Sequence, residues 1–330
     1  MPVLECGGWT PRANAIRDGK VSQMGMEISR IEYAGWPNCY RLGDGKIEVV
    51  ATADVGPRVI RCGFTNEVNL FGEIAEDIGK TGGDQWRIYG GHRLWHNPEK
   101  RNRTYWPDNT PVDVKPLHDG IHIKQPEEPR TGIRKEIIIR LDSAGQGFEV
   151  EHRMTNNGPW TIKLSLWALS VMNLGGLAIT PQFRAPDSEG LLPNRCIALW
   201  PYSDMSDPRV IWGERYIFLK QDPKRKNPFK FGLTVPEGWA AYWLEGYLFL
   251  KAFTFDPRSP YPDYGVNVEL YTNDKFLEME TLSALLDVAP GETASHNEKW
   301  FLFRDIEPLE TEREIQEILD PLVKEKILDI

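Results

Sequence analysis

The chain has 330 residues, of which 41% are hydrophobic and 11% aromatic, and its formal net charge is -9. The apolar fraction is ample for a packed core and excludes wholesale disorder. The acidic balance argues against a nucleic acid or an anionic lipid surface as partner. No apolar run approaches the roughly 18–20 residues of a membrane span, so we expect a globular protein without membrane contact.

The N-terminus and the cysteines bear on the cellular compartment. Residues 1–8 lack the basic and then apolar regions of a signal peptide. Cys6, Cys39, Cys62 and Cys196 form no CxxC pair, which argues against zinc ribbons and thiol redox motifs. Together these features predict reduced thiols in a cytoplasmic protein, although a disulfide stays open if a leader has been lost.

A period of two dominates the chain, which indicates β-strands. Phe148, Val150, His152 and Met154 share one face of a predicted strand, and the charged residues between them share the other. The other strand candidates are 46–52, 58–62, 133–141, 161–172, 240–255, 266–271, 276–282 and 299–304. Many short strands separated by turn residues predict an all-β sandwich or barrel.

The segment 84–99 is the richest in candidate ligand-binding groups. It places two His, two Arg, two acids, two Trp and one Tyr around a Gly-Gly pair. A core strand is not expected to carry so many groups that cost free energy when they are buried unpaired. The mixture is typical of a concave site that stacks against a sugar ring and hydrogen-bonds its hydroxyls. The plainer alternative is a turn whose aromatic residues cover a sheet edge.

A helical pattern is found only near the C-terminus. The residues that recur there at helical spacing are Ile315, Ile318, Leu319, Leu322 and Val323. Pro321 is expected to kink this helix, which we place at about 309–328. No composition shift or repeat marks a linker, so the sequence predicts one domain over residues 1–330.

Several segments in order resemble the galactose mutarotase-like superfamily, especially its aldose 1-epimerase-like branch. The similar segments are 56–60, 90–98, 152–158, 164–176, 276–282, 289–292 and Trp300, within roughly residues 45–303. The resemblance implies the β-supersandwich of that superfamily and a small-molecule carbohydrate as ligand. It also implies ring opening of a sugar at its anomeric carbon. We expect neither a cofactor nor a metal.

The resemblance implies two catalytic groups. A carboxylate removes the anomeric hydroxyl proton while an acid, usually His, protonates the ring oxygen. Glu280 is the first choice for the base, and Glu278 stays open because it lies two residues away on the same strand face. Leu169 occupies the place of the usual acid, which departs from the family pattern. His92 is the first substitute for the acid and His152 the second.

The candidate substrate-binding residues come from the same segments and are expected to converge with the catalytic groups on one concave face. They are Arg58, Arg87, Tyr89, Arg93, Trp95 and Trp106. Because Arg fits oxyanions, a phosphorylated or uronic sugar stays open. His92 and His96 are spaced i,i+4, so on a helix their two imidazoles could bind one metal ion. The Gly-Gly pair and Pro98 argue against a helix there.

Three functions remain open from the sequence. The first is a sugar isomerase, and the second is a non-catalytic sugar-binding protein that has lost the acid. The third is a polysaccharide lyase or glycoside hydrolase on the same scaffold, and Tyr89, Tyr105, His92 and Arg93 are the candidates for lyase chemistry. Leu169 favours the second and third functions, whereas the clustering of ionisable groups favours an enzyme.

Overall fold

The structure is a computed structural model that describes residues 20–23, 25–142, 146–183 and 191–327. Cys6 lies outside the described residues. The described part is almost entirely β, as predicted, with 22 strands in two antiparallel sheets. Among the described residues, no helix is long and apolar enough to cross a membrane.

The first sheet contains twelve strands, which we number in chain order. Across the sheet they are β1 (Lys20–Gln23), β2 (Met26–Tyr33), β3 (Trp36–Gly43), β4 (Ile47–Thr52), β5 (Arg58–Phe64), β6 (His92–Asn97), β11 (Ile162–Met172), β20 (Leu277–Leu282), β19 (Val268–Thr272), β16 (Phe229–Leu233) and β13 (Ile197–Leu199), with β21 (Leu286–Val288) paired to one end of β11. Strands from distant parts of the chain therefore meet in the middle of this sheet.

The second sheet contains ten strands. In order they are β14 (Val210–Trp212), β15 (Tyr216–Lys220), β12 (Leu177–Pro181), β17 (Trp239–Leu244), β18 (Tyr247–Phe253), β22 (Thr293–Phe303), β10 (Gly147–Asn156), β9 (Ile133–Leu141), β8 (Gly120–Lys124) and β7 (Asp113–Pro116). One hydrophobic core joins the sheets: Leu94 and Leu166 of the first pack in it with Ile137 and Phe249 of the second. The single-domain assignment stays a prediction.

Two predicted elements differ from the structure. The run 240–255 is not one strand but the hairpin of β17 and β18, which turns at Glu245 and Gly246 with φ of 49° and 87°. Its apolar residues continue up to the turn on both sides, so the period alone did not reveal the turn. The segment 92–97, which we expected not to be a core strand, forms β6 with all six residues buried.

The C-terminal helical segment is confirmed. It consists of α1 (Glu312–Glu314), a π-helical turn (Ile315–Leu319) and α2 (Asp320–Ile327). Thr311 caps the start by accepting the backbone N–H of Glu314, whose carboxylate accepts the N–H of Thr311 in return. The π-helical turn directly precedes the Asp320-Pro321 step, where the sequence predicted a kink. The buried side chains Ile315, Leu319 and Val323 pack on the face of the second sheet that points away from the first.

Gly90 and Gly91 determine how the chain enters β6. Their φ values are 104° and 69°, which favour glycine. A Cβ on Gly91 would overlap the backbone of Val59, and one on Gly90 would overlap the carbonyl oxygen of Gly72. Close backbone packing on both sides therefore fixes the start of the strand.

Replacing Gly91 by Ala should lower the free energy of unfolding by about 3 kcal/mol, because backbone strain and steric overlap add. Gly291→Ala is the matched control: its φ is 82°, and no described atom lies within 4 Å of the added Cβ. We expect that variant to lose only about 1 kcal/mol. Urea denaturation measures both, and equal losses would contradict the proposed packing constraint.

Candidate functional site

The register of the first sheet aligns a row of side chains across its middle. Arg93 on β6 pairs with Leu169 on β11, which pairs with Glu280 on β20; Glu280 in turn pairs with Glu269 on β19. Directly paired residues point to the same side of a sheet. Since the alternating neighbour Leu94 belongs to the core between the sheets, this row points away from the second sheet.

A cavity of about 380 Å³ lies over this row. The aromatic side chains that line it are Trp86, Trp95, Tyr105, Trp167, Trp200, Tyr202, Tyr271 and Phe276. The charged residues in its wall are Arg93, Glu99, Lys230, Glu278 and Glu280. Apolar ring faces beside a few directed polar groups are what a small polar ligand requires.

Glu280 is held in this wall by one of its two oxygens. Oε2 accepts hydrogen bonds from Nε1 of Trp167 at 2.7 Å and from Nζ of Lys230 at 2.9 Å. Oε1 is buried and has no hydrogen-bond partner among the described residues; because it is unpaired, we call it the open oxygen of Glu280. Burial raises the pKa of this carboxyl. A positioned carboxylate with a raised pKa and an open oxygen is suited to act as a general base.

Lys230 connects two carboxylates. Its ammonium lies 2.6 Å from Oε2 of Glu269 and 2.9 Å from Oε2 of Glu280. It also lies 4.6 Å from the ring centres of Trp167 and Trp200. Burial lowers the pKa of Lys230, but the two carboxylates more than reverse this and raise it well above its ordinary value. Lys230 therefore carries a positive charge in the cavity.

Arg93 presents hydrogen-bond donors to the same cavity. Nη2 pairs with Glu278 at 2.7 Å, and the guanidinium lies 4.4 Å from the ring centre of Trp95. Nε and Nη1 of Arg93 and Nε1 of Trp86 are buried with no partner in the described ranges. Because a buried donor without a partner costs free energy, these N–H groups are suited to ligand oxygens.

His92 does not face this cavity. It precedes Arg93 in β6 and points between the sheets, where its Nε2 lies 2.7 Å from Nε2 of His152. The expected convergence of His92 and Glu280 is therefore wrong, because adjacent residues of a strand point to opposite faces. The prediction that His152 is catalytic is also wrong, because His152 is buried on β10 and contacts His92 between the sheets.

Hydrogen bonding fixes the tautomers of both histidines. Nδ1 of His152 lies 2.9 Å from the carbonyl oxygen of His296, so it donates and leaves Nε2 to accept. Nε2 of His92 then donates to His152, and Nδ1 of His92 accepts from the hydroxyl of Ser170 at 2.9 Å. Burial lowers the pKa of His92 well below its ordinary value and also lowers that of His152. Both rings are thus neutral parts of the core.

This core network also contains possible metal ligands. Ligand atoms of His92, His152 and Glu298 lie within 4.8 Å of one another. Glu298, however, accepts the N–H of Trp300 at 2.7 Å and lies 3.1 Å from the ammonium of Lys251, whose charge opposes a second cation. The group therefore fits a hydrogen-bonded core better than a metal centre.

Arg58 was predicted to bind substrate, but it lies outside the 380 Å³ cavity. Its Nη1 donates to the carbonyl oxygens of Ile88 and Gly90, and its Nη2 pairs with Asp108 at 2.6 Å. Arg58 is fully buried. It therefore braces the loop before β6 instead of contacting a ligand there.

Tyr89, Arg87 and Trp106 also lie outside that cavity. Tyr89 is buried and donates to Oδ1 of Asn109 at 2.9 Å, and Arg87 donates to the carbonyl oxygen of Gly82 at 2.6 Å. Both hold the same loop. Trp106 lines a different cavity, of about 700 Å³. Of the ten predicted site residues, the structure brings Arg93, Trp95, Glu278 and Glu280 together.

Sequence reasoning missed three important groups in and beside the cavity. Lys230 lies between Phe229 and Phe231 on β16, and a lysine alternating with core aromatics was an available signal for a buried, paired charge. Trp167 was not among the predicted site residues, although its N–H donates to Glu280. No sequence pattern indicated Glu269, because its ion pair with Lys230 arises only when β16 and β19 lie side by side in the sheet.

His296 allows the neutral core to be tested by pH. Burial lowers the pKa of His296 to about 3, whereas the ordinary value of about 6.5 applies in the unfolded chain. Between these two pKa values, His296 is protonated in the unfolded chain and neutral in the folded protein. The contribution of His296 to the free energy of unfolding is therefore complete above about pH 6.5 and is lost as the pH falls towards 3. Relative to His296→Gln, the wild type should lose about 1.4 kcal/mol per pH unit below pH 6. Urea denaturation at several pH values measures this, and parallel pH curves would contradict it.

No protein-family model and no curated protein matches this sequence. Similar solved structures include a protein of Klebsiella pneumoniae provisionally described as an aldose 1-epimerase (13% identity, 92% of this chain and 87% of that chain, TM-score 0.56). Others are a galactose mutarotase-like protein of Clostridium acetobutylicum (12%, 86% and 100%, 0.51) and a galactose mutarotase related enzyme of Lactobacillus acidophilus (10%, 83% and 100%, 0.51). At these identities the likeness concerns the fold: the chain has the galactose mutarotase-like fold that the resemblance implied.

Proposed function

We propose that this protein is a carbohydrate-active enzyme of the aldose 1-epimerase-like kind. It binds a monosaccharide, or the end of a saccharide, in the 380 Å³ cavity and interconverts its anomers by opening the ring. The observation that carries the proposal is the open oxygen of Glu280, on a carboxylate that Trp167 and Lys230 hold in place.

The cavity walls support a sugar as the ligand. The rings of Trp86 and Trp95 lie 5.2 Å apart beside the guanidinium of Arg93. Aromatic faces pack against the apolar face of a sugar ring, while the N–H groups of Arg93 donate to its hydroxyl oxygens. A phosphorylated or uronic sugar stays within this proposal, because Nε and Nη1 of Arg93 have no partner among the described residues and can donate to an oxyanion, even though the wall holds three carboxylates.

The proposed reaction moves two protons. The open oxygen of Glu280 accepts the proton of the anomeric hydroxyl, the bond from the anomeric carbon to the ring oxygen breaks, and a carbonyl group forms. The ring oxygen gains negative charge and takes a proton from the ammonium of Lys230. After rotation about the adjacent carbon–carbon bond, the ring closes on the other face and both protons return.

A lyase that acts on a uronic acid is the second candidate. It would need a group that abstracts the C5 proton and a cation that neutralises the carboxylate. Of the residues that the sequence predicted for this chemistry, Tyr105 and Arg93 line the cavity. Tyr89 and His92 are buried elsewhere. The open oxygen of Glu280 has no assigned part in that scheme, so we place the isomerase first.

Glu280→Gln keeps the shape of the side chain but removes the base. We expect it to slow anomer interconversion by about 10²–10⁴-fold. Glu149→Gln makes the same chemical change on β10, away from the cavity, and should leave the rate unchanged. Polarimetry of freshly dissolved α-anomers of several aldoses and their phosphates measures both variants.

A wild-type protein that leaves every anomer at its spontaneous rate would end the isomerase proposal. Acidic polysaccharides should then be screened for new ultraviolet absorbance from unsaturated ends. A positive result there would identify a lyase, and a negative one would leave a sugar-binding protein.

The pH profile should depend on Glu280. Burial raises the pKa of its carboxyl, and the positive charge of Lys230 partly lowers it again. Because the base acts in its deprotonated form, kcat/KM should rise with pH through a pKa above the ordinary value for Glu. Lys230→Met should lower the rate, because it removes the proposed acid, and should move the remaining rise to higher pH, whereas Lys226→Met on the exposed surface should do neither. A rise at or below the ordinary pKa, unmoved by Lys230→Met, would contradict the assignment.

A further inference from the structure

The 380 Å³ cavity is one end of a longer cleft. A middle cavity of about 1020 Å³ shares Trp86, Glu99 and Tyr105 with it. The 700 Å³ cavity shares Arg101 and Tyr105 with the middle one. Tyr105 therefore lines all three, so the 380 Å³ and 700 Å³ cavities also meet directly at this residue, and we treat the three adjoining cavities as one cleft along the segment 84–108.

Tyr105 lies where the three cavities meet, and a hydrogen bond and two ring contacts hold its side chain in place. Its hydroxyl donates to Oε1 of Glu99 at 2.5 Å. Its ring lies 5.4 Å from that of Trp86 in an edge-on arrangement and 4.7 Å from that of Trp95. The aromatic wall of the first cavity thus continues into the next one.

The 700 Å³ cavity repeats the chemistry of the first. Trp106 forms part of its wall and is half-buried. The side chain of Asp108 is only 9% exposed, and its Oδ2 pairs with Arg58. Oδ1 of Asp108 is buried and has no hydrogen-bond partner among the residues described. A ring face beside an unused acceptor again suits a sugar that offers hydroxyl groups.

The charges around the 700 Å³ cavity indicate which sugar fits. Its acidic lining residues are Asp84, Asp108, Glu127 and Glu128, whereas its basic ones are Arg101 and Arg130. Asp108 and Glu128 are also paired with Arg58 and Lys135, each at 2.6 Å, so the charges balance and no net positive charge favours a phosphate or a uronic acid there. A neutral sugar residue that donates hydroxyl protons to Asp108 is favoured.

We propose that this cleft binds a reducing oligosaccharide, with two consecutive sugar residues in separate subsites. The reducing-end residue lies in the first cavity against Glu280, since only that residue has a free anomeric hydroxyl. A neutral residue linked to it extends past Tyr105 and stacks on Trp106. This inference rests on the proposed function and names its substrate class.

Calorimetry with matched pairs of sugars tests this proposal. The probes are glucose, galactose, mannose and xylose, each compared with its own 1,4-linked disaccharides. At least one disaccharide should bind about five- to tenfold more tightly than its monosaccharide, which is the gain that one ordinary ring contact supplies. Trp106→Ala should bring this affinity ratio close to one. Trp160→Ala removes a tryptophan that is 77% exposed and outside the cleft, so it should leave the ratio unchanged.

Arg101→Ala keeps the test decisive if Trp106→Ala fails to fold. Arg101 is exposed and lines both the middle and the 700 Å³ cavities, so its removal should lower the same ratio. Equal affinities for monosaccharide and disaccharide, or a ratio that neither variant changes, would overturn the two-subsite cleft. That result would leave the proposed function standing as long as Glu280→Gln still abolishes anomer interconversion. If no saccharide of either length binds, the two-subsite cleft falls, and the proposed function then depends on the phosphorylated and uronic sugars alone.

Discussion

The structure depends on the alternation of side chains along β6, the strand in the middle of the first sheet. His92 points between the sheets and hydrogen-bonds His152, whereas Arg93 points outward and pairs with Glu278. A shift of one residue would exchange the two, with a guanidinium in the core and an imidazole in the cavity. The close backbone packing at Gly90 sets the start of the strand. A backbone constraint therefore decides which charged groups a ligand can reach.

The two faces of the sheet handle polar groups differently. Between the sheets, His92 and His152 form a continuous series of donors and acceptors, so each ring is neutral and satisfied. On the outer face, Lys230 and Arg93 each bind a carboxylate, yet the open oxygen of Glu280 and two N–H groups of Arg93 lack partners in the described part of the chain. Such groups cost about 1–3 kcal/mol each when buried unpaired. A ligand that supplies the partners removes that cost, which is the physical basis of the proposed site.

The sequence predicted the fold more fully than the site. The period of two predicted the sheets, helical spacing predicted the C-terminal helix, and the resemblance brought Glu280 and Arg93 to one place. Residue types alone could not show that His92 points away from both, because that depends on the register of β6. The contact of Lys230 with Glu280 follows from the order of β20, β19 and β16 in the sheet, which no local pattern encodes. The wrong site predictions therefore have two causes: His92 and His152 lie between the sheets, and Arg58, Arg87 and Tyr89 hold the loop before β6 in place.

A crystal structure of the protein soaked with a reducing sugar tests the central claim most directly. The claim is that the outer face of the first sheet, and not the space between the sheets, holds the ligand. The account predicts a ring in the 380 Å³ cavity beside Trp95, with its anomeric oxygen about 2.6–3.2 Å from the open oxygen of Glu280. A sugar bound elsewhere while this cavity holds none, or a ring whose anomeric oxygen points away from Glu280, would contradict it.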